Sequence, residues 1–346
     1  MIPEYLIIGA GVAGLTAAES LLLRGSSVTV LEKGTAGCES SWAGGGILAP
    51  LCPWDYADAV TQLTDMGAAL YPQWVSDLYE ATGIDPEYEI SGMLILPQVD
   101  KEQAMQWCER RGVIFELTGE GILLPEVAQV RNPRLIQALR KHVEKRGGNI
   151  IEKCEVLDIS VEGTRVLSAT TSCGVFNADR YIVSAGAWSR QVLGKYALSL
   201  DIKPVRGQML LFKFDAPPLQ HILLQDGMYL IPRRDGHLLI GSTLEDVGFD
   251  KRTTIQARES LLQRAQLLLP ELRGMALLQH WSGLRPASPR NVPVIGRHPE
   301  LENLYINSGH FRYGVTMAPS SSSILLNELH GDAQPFDVNQ YQANWF

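Results

Sequence analysis

Apolar residues recur along the chain with two periods, near 3.6 and near 2, and the switches between them mark out the elements. Tyr5-Leu6-Ile7-Ile8 is a short apolar run, followed at once by Gly9-Ala10-Gly11-Val12-Ala13-Gly14 and a helix-like segment over 15–24. Ser27-Val28-Thr29-Val30-Leu31 reads as a second strand with Glu32 at its end. Leu63, Met66, Ala69, Leu70 and Trp74 form a helical stripe within 57–81, which Pro72 is placed to kink. Residues 92–97 read as a strand and 101–111 as a short helix ended by Gly112. Asn132-Pro133 opens a helix over 134–146 that Gly147-Gly148 closes. Residues 149–154 and 155–161 read as strands returning to the first sheet. The run 180–189 is a strand ending in small residues, then a helix start.

From Val205 the pattern changes. Short strands at 208–214, 228–232 and 237–243 are separated by turns such as Arg234-Asp235-Gly236, the mark of an antiparallel meander. An amphipathic helix over 254–269 stops at Pro270, and Trp281-Ser282-Gly283-Leu284-Arg285-Pro286 leads out of the region. The last informative stretch, 304–319, is a strand and a glycine-rich turn, with a helix expected over 318–329. The expected fold is therefore α/β, α+β overall: a Rossmann-like part with a second part built on an antiparallel sheet.

The glycine turn carries the first chemistry. Strand, G-x-G-x-x-G and helix make a dinucleotide-binding fingerprint. Gly9 permits the turn, Gly11 lets a pyrophosphate approach the backbone, and Gly14 lets the helix pack close to the strand. The helix N-terminus faces the phosphates. Glu32 lies about 20 positions on, where a ribose needs an acceptor. Downstream, Ser40-Ser41-Trp42-Ala43-Gly44-Gly45-Gly46-Ile47 is a small-residue loop around bulky Trp42 and Ile47, placed where a long cofactor would continue. Ser184-Ala185-Gly186 reads either as the end of a core strand or as a second approach to the cofactor. The turn before the last helix can stabilise an anionic group at a helix N-terminus.

Bulk numbers narrow the partners. At 346 residues the chain is long enough for two domains or one large one. A formal charge of −8 with no basic run argues against nucleic acid and anionic membrane surfaces. No run of apolar residues is long enough to span a bilayer, and the N-terminus enters the first strand without the features of a secretory leader, so a cytoplasmic protein is expected. The five cysteines, 38, 52, 108, 154 and 173, form no C-x-x-C pair. Neither a disulfide framework nor a zinc site is expected, only free buried thiols.

These motifs together resemble the D-amino-acid oxidase superfamily, most of all its glycine oxidase (ThiO-like) family. The resemblance spans essentially the whole chain. It rests on Gly9 to Gly14, Glu32, Ser41 to Ile47, Ser184 to Ser189, Gly283-Leu284-Arg285-Pro286, Ile295-Gly296-Arg297 and His310-Phe311-Arg312-Tyr313-Gly314. It implies non-covalent FAD and oxidation of a small amino acid by hydride transfer to flavin N5. Oxygen would be the acceptor, hydrogen peroxide the product, and the imine a supply for the thiazole of thiamine. It also implies a homotetramer. By position, Val12, Ala13, Glu32, Lys33, Ser40, Ser41, Gly45, Gly46, Ile47 and the backbone of Val156 would hold FAD, with His310, Phe311, Arg312, Tyr313, Gly314, Val315 and Thr316 around the flavin. FAD-binding segments are expected at 1–85, 131–204 and 283–346, and substrate-domain segments at 86–130 and 205–282.

The substrate residues also follow from chemistry. An amino-acid carboxylate in a dry pocket needs a fixed cation, and guanidinium binds it bidentately. Arg285 and Arg312 are the candidates, with Tyr229 and Leu244 expected beside them by resemblance. No acid, base or nucleophile from the protein is required, and His310 is expected to pack near the flavin rather than act as a base. Rival readings are a sarcosine or other N-methyl amino-acid oxidase, a D-amino-acid oxidase, a dehydrogenase with another acceptor, and a flavin-binding subunit.

Overall fold

The computed structural model describes residues 2–97 and 100–342. Tyr5–Ile8 lies near the middle of a six-stranded sheet, wholly buried. The order is Val294–Arg297, Leu304–Ser308, Arg180–Val183, Tyr5–Ile8, Val28–Leu31 and Asn149–Ile151. All neighbours are parallel except the first pair. Parallel strands covered on both faces must be apolar throughout, which is why these runs do not alternate. One face carries the helices Val12–Leu23, Asn132–Lys145 and Gly314–His330 with Asp58–Thr82 beyond them. The other face packs on a three-stranded antiparallel sheet of Val156–Glu162, Arg165–Thr171 and Gly174–Phe176.

That small sheet departs from expectation. Val156–Glu162 does not return to the six-stranded sheet. The chain leaves its edge after Ile151 through Lys153, at φ +55°, and pairs locally instead. The eight-stranded sheet runs Gln279–Ala287, Lys203–Lys213, His237–Gly241, Met228–Pro232, Ile222–Gln225, Met93–Ile95, Ile122–Leu124, Glu116–Leu117. Among the described residues its one parallel pair joins Ile222–Gln225 to Met93–Ile95. The segment around Arg285 does not lead out of this sheet. Gln279–Ala287 pairs with Lys203–Lys213 along nine residues, so the expected borders at 205 and 282 both fall inside strands.

The last helix begins at Gly314, earlier than Pro319 suggested. A proline inside a helix leaves the carbonyl four residues back without its donor. Here that carbonyl belongs to Val315, and the Tyr71 hydroxyl donates to it at 2.6 Å. Helix Asp58–Thr82 likewise runs through Pro72. The thiols are not uniformly buried: Cys108 and Cys154 are, Cys52 is half-buried, and Cys38 and Cys173 are exposed. Among the described residues no helix is long and apolar enough to cross a membrane.

Candidate active site

A deep cleft runs from the C-terminal ends of Tyr5–Ile8 and Val28–Leu31 to the eight-stranded sheet. Its first wall is the glycine turn. Gly9 sits at φ +110° with the Ser184 carbonyl against it, and a Cβ on Gly14 would run into the Gly9 carbonyl. Both positions therefore require glycine, one for conformation and one for helix–strand approach. Gly14 works from behind the wall, while Gly9, Gly11, Val12 and Ala13 line it. Glu32 is buried at the end of its strand. One carboxylate oxygen accepts from Ala10 N–H and the other from Gly34 N–H, each at 2.9 Å. Lys33 projects over the Trp188 ring, its Nζ 3.2 Å from the centroid, and burial pushes its pKa down.

The middle of the cleft is the small-residue loop. Ser40, Ser41, Gly45, Gly46 and Ile47 all line it, and Ser41 Oγ accepts from Val12 N–H at 2.9 Å. This loop is not a flexible surface segment. Buried Arg233 donates to the Gly45 carbonyl at 2.8 Å, to the Val130 carbonyl at 2.9 Å and to Gln129 Oε1 at 2.6 Å. Burial lowers the Arg233 pKa to about 10. The backbone around Val156 borders the same cleft.

The far end is built by strand Gln279–Ala287 and the turn before the last helix. Arg285 points into the cleft. Its guanidinium donates to Ser242 Oγ at 2.5 Å and to the Thr243 carbonyl at 3.2 Å. It forms no ion pair with a carboxylate among the described residues. Burial lowers its pKa, the nearby Tyr229 raises it, and Arg312 lowers it again. Gly207, directly beside it on the neighbouring strand, makes the room: a Cβ there would occupy the guanidinium's space. Tyr229 is buried with its hydroxyl 3.4 Å from Met209 Sδ. Arg312 lies over Phe311, 5.6 Å from the ring centroid. His310, Phe311, Arg312, Tyr313, Gly314 and Val315 line the cleft. Thr316 stands just behind, its hydroxyl donating to the Ile47 carbonyl at 3.2 Å.

Leu244 is the exception. It is 54% exposed and does not border the cleft. The strand ends at Gly241; Ser242 then faces Arg285, Thr243 turns toward Gln208 and Glu245, and Leu244 points outward.

A family model for FAD-dependent oxidoreductases, DAO, matches residues 4–327. The chain belongs to this family. It is 41% identical to a glycine oxidase of Pseudomonas aeruginosa, over 99% of this chain and 98% of that one. It is 31% identical to a bifunctional ThiO/ThiG protein of Trichormus variabilis, over 94% of this chain and 52% of the longer relative. Among solved structures, a glycine oxidase from Geobacillus kaustophilus superposes with a TM-score of 0.92 at 27% identity, covering 98% and 97% of the two chains.

As a DAO-family oxidoreductase the protein uses FAD, and the residues present fit that group. Four cleft-lining side chains hold buried polar atoms with no partner: Asn132 Oδ1, Ser184 Oγ, both side-chain atoms of Asn307, and His310 Nε2. Stranding so many donors and acceptors in one apolar-walled cleft is costly unless a polar ligand meets them. The glycine cradle supplies the close backbone approach. Burial lowers the His310 pKa to about 4, so the ring is neutral at neutral pH, as a packing residue should be. Sequence reasoning missed Asn132, Asn307, Gly207, Met209, Ser242 and Arg233. Asn132 read only as a helix opener, and the others carry no motif of their own.

Proposed function

We propose that this DAO-family enzyme oxidises glycine and comparably small amines, sarcosine and small D-amino acids among them, to the imino acid, with oxygen as acceptor. Arg285 carries the reading. It is a cleft-facing guanidinium at the end opposite the dinucleotide turn, held by Ser242 and the Thr243 carbonyl, with no carboxylate partner among the described residues. A substrate carboxylate completes it bidentately. Tyr229 and Arg312 add a hydroxyl and a second positive charge, and Met209 and Tyr229 narrow the space around the small substrate. The glycine oxidase relatives share this chain's full length.

The six-stranded sheet and its helices form the FAD-binding domain, and the eight-stranded sheet forms the substrate domain. Glycine turn, Glu32, Lys33, Ser40 to Ile47 and the Val156 backbone hold the nucleotide end. His310 to Thr316 would hold the flavin, and the N-terminus of helix Gly314–His330 would supply a partial positive charge to stabilise an anionic reduced ring. FAD is held non-covalently: the last cysteine is Cys173, and none follows it in the stretch His310 to Thr316 at the flavin end. FAD, when bound, would supply the hydride acceptor for oxidation at the substrate α-carbon. The protein supplies position, by fixing the carboxylate and keeping the pocket dry, and no side chain is needed as acid or base. ThiO/ThiG fusions among the relatives support delivery of the imine to thiazole synthesis.

Purified holoenzyme given glycine in air should produce peroxide and glyoxylate one for one. Arg285→Ala should raise KM about 100-fold while keeping its flavin, the loss of a charge-assisted bidentate contact. A normal KM in that variant removes Arg285 from the carboxylate site. Flavin that glycine reduces without peroxide formation assigns the enzyme to a different acceptor.

A further inference from the structure

Two thiols that the redox reading leaves aside face each other at the edge of the cleft. In the small sheet, Val156 stands opposite Thr171. Ser172 N–H donates to the Glu155 carbonyl at 2.9 Å, and Glu155 N–H donates to Ser172 Oγ at 3.0 Å. Ser172 and Cys173 then form the two-residue turn between Thr171 and Gly174, beside the loop that holds Cys154. The Cys154 thiol and the Cys173 backbone meet at one hydroxyl. Cys154 Sγ donates to Thr171 Oγ1 at 3.2 Å, and Cys173 N–H donates to the same oxygen at 3.0 Å. Cys173 Sγ lies 3.5 Å from the carbonyl oxygen of Lys153, the residue bonded to Cys154. The two thiols are near enough to act on each other electrostatically, and Cys173 Sγ already lies beside the peptide that precedes Cys154, so a small movement of the Ser172–Cys173 turn brings the sulfurs together.

We propose that Cys154 and Cys173 form a peroxide-oxidisable pair that closes to a reversible disulfide beside the cofactor cleft. Cys173 is exposed and meets peroxide first; Cys154 is buried and lines the cleft. Hydrogen peroxide oxidises the Cys173 thiol to a sulfenic acid and is reduced to water. The Cys154 sulfur then attacks the Cys173 sulfur, the S–O bond breaks, and the departing hydroxide takes the Cys154 proton as a second water. Burial raises the Cys154 pKa, so the exposed Cys173 is the thiol that meets the oxidant first. The disulfide has a mechanical consequence. Cys154 N–H donates to the Glu32 carbonyl at 2.8 Å, so the bridge ties the cleft wall at Glu32 to the hairpin at Thr171–Gly174. A stiffer wall releases FAD more slowly. That the enzyme generates this peroxide itself rests on the oxidase reading; the thiol chemistry does not.

The test treats holoenzyme with added hydrogen peroxide, quenches with catalase, alkylates and reads mass and peptides. The proposal expects a loss of about 2 Da and a peptide linking Cys154 to Cys173, reversed by dithiol. Cys173→Ser should abolish the link and leave Cys154 alkylatable, while Cys38→Ser should leave it intact. The linked form should lose FAD in dialysis at least about threefold more slowly than the reduced form. Sulfinic acid on Cys173 with Cys154 still reduced overturns the pair. A linked form that loses flavin at the reduced protein's rate overturns its effect on the cofactor.

Discussion

Arg285 can face the cleft because Gly207 has no side chain. The two residues sit on adjacent antiparallel strands, Gly207 opposite Gly283 and Val205 opposite Arg285. A methyl group at 207 would displace the guanidinium from Ser242 and Thr243. Gly207→Ala should therefore behave as a muted Arg285 variant, with KM for glycine raised about tenfold and flavin content unchanged. Unchanged KM would show that the guanidinium relocates without cost. His310 gives a second residue-scale expectation. Its folded pKa, about 4, lies below its ordinary value of 6.5. On lowering the pH, the unfolded chain takes up this proton before the folded one does. The neutral ring's contribution is present above 6.5 and is lost as pH falls toward 4, up to about 3 kcal/mol. His310→Gln should flatten the fall in Tm between neutral and mildly acidic pH. An equally steep fall in both proteins would show that His310 titrates freely. The neighbourhood of Arg285 was only partly legible in the sequence. An arginine before a proline marks a candidate clamp, but nothing in the string Val205-Arg206-Gly207-Gln208 says that its glycine serves a residue 78 positions later.

The connection from Gly241 to helix Ile255–Leu268 carries Ser242 and Thr243, and a buried polar network fixes it. Arg206, almost wholly buried, pairs with Glu245 at 2.5 Å and donates to the Arg252 carbonyl at 2.8 Å. Gln208 donates to Glu245 at 2.8 Å, accepts from Thr254 N–H at 2.9 Å and bonds His280 at 3.0 Å. Thr243 also donates to Glu245. Burial alone would raise the Glu245 pKa; the hydrogen bonds from Arg206, Thr243 and Gln208 outweigh it and hold the carboxyl below its usual value. Glu245→Gln leaves buried Arg206 with only Asp250, 3.4 Å away, as counter-charge, so stability should drop by about 2 kcal/mol. Because Thr243 orients Arg285, KM should rise more than kcat falls, and steady-state kinetics with a thermal melt separate the two effects. Loss of stability with unchanged KM would confine Glu245 to the fold. Element boundaries were legible where caps are local: helix Lys101–Arg111 has Asp100 as its cap and Gly112 as its stop. They failed where a distant group intervenes, as when Tyr71 takes up the Val315 carbonyl and lets the last helix run through Pro319.

At the scale of the whole molecule, the cleft joins the dinucleotide turn at one end to a carboxylate-sized cation at the other, with a lining rich in unpartnered polar atoms between. The Rossmann-like half was legible because its parallel strands are continuous apolar runs broken by an obligatory glycine turn. The small three-stranded sheet and the true extent of strand Gln279–Ala287 were not, because pairing partners are set by tertiary packing rather than by local pattern. Glycine-sized amino acids should reduce the bound FAD directly, and that reduction is the central expectation. Anaerobic mixing of holoenzyme with glycine, sarcosine, D-alanine and D-proline, followed at about 450 nm where oxidised flavin absorbs, tests it most directly. Glycine should bleach the flavin, with colour and peroxide returning when air is admitted. Flavin that stays oxidised with all four compounds would contradict it.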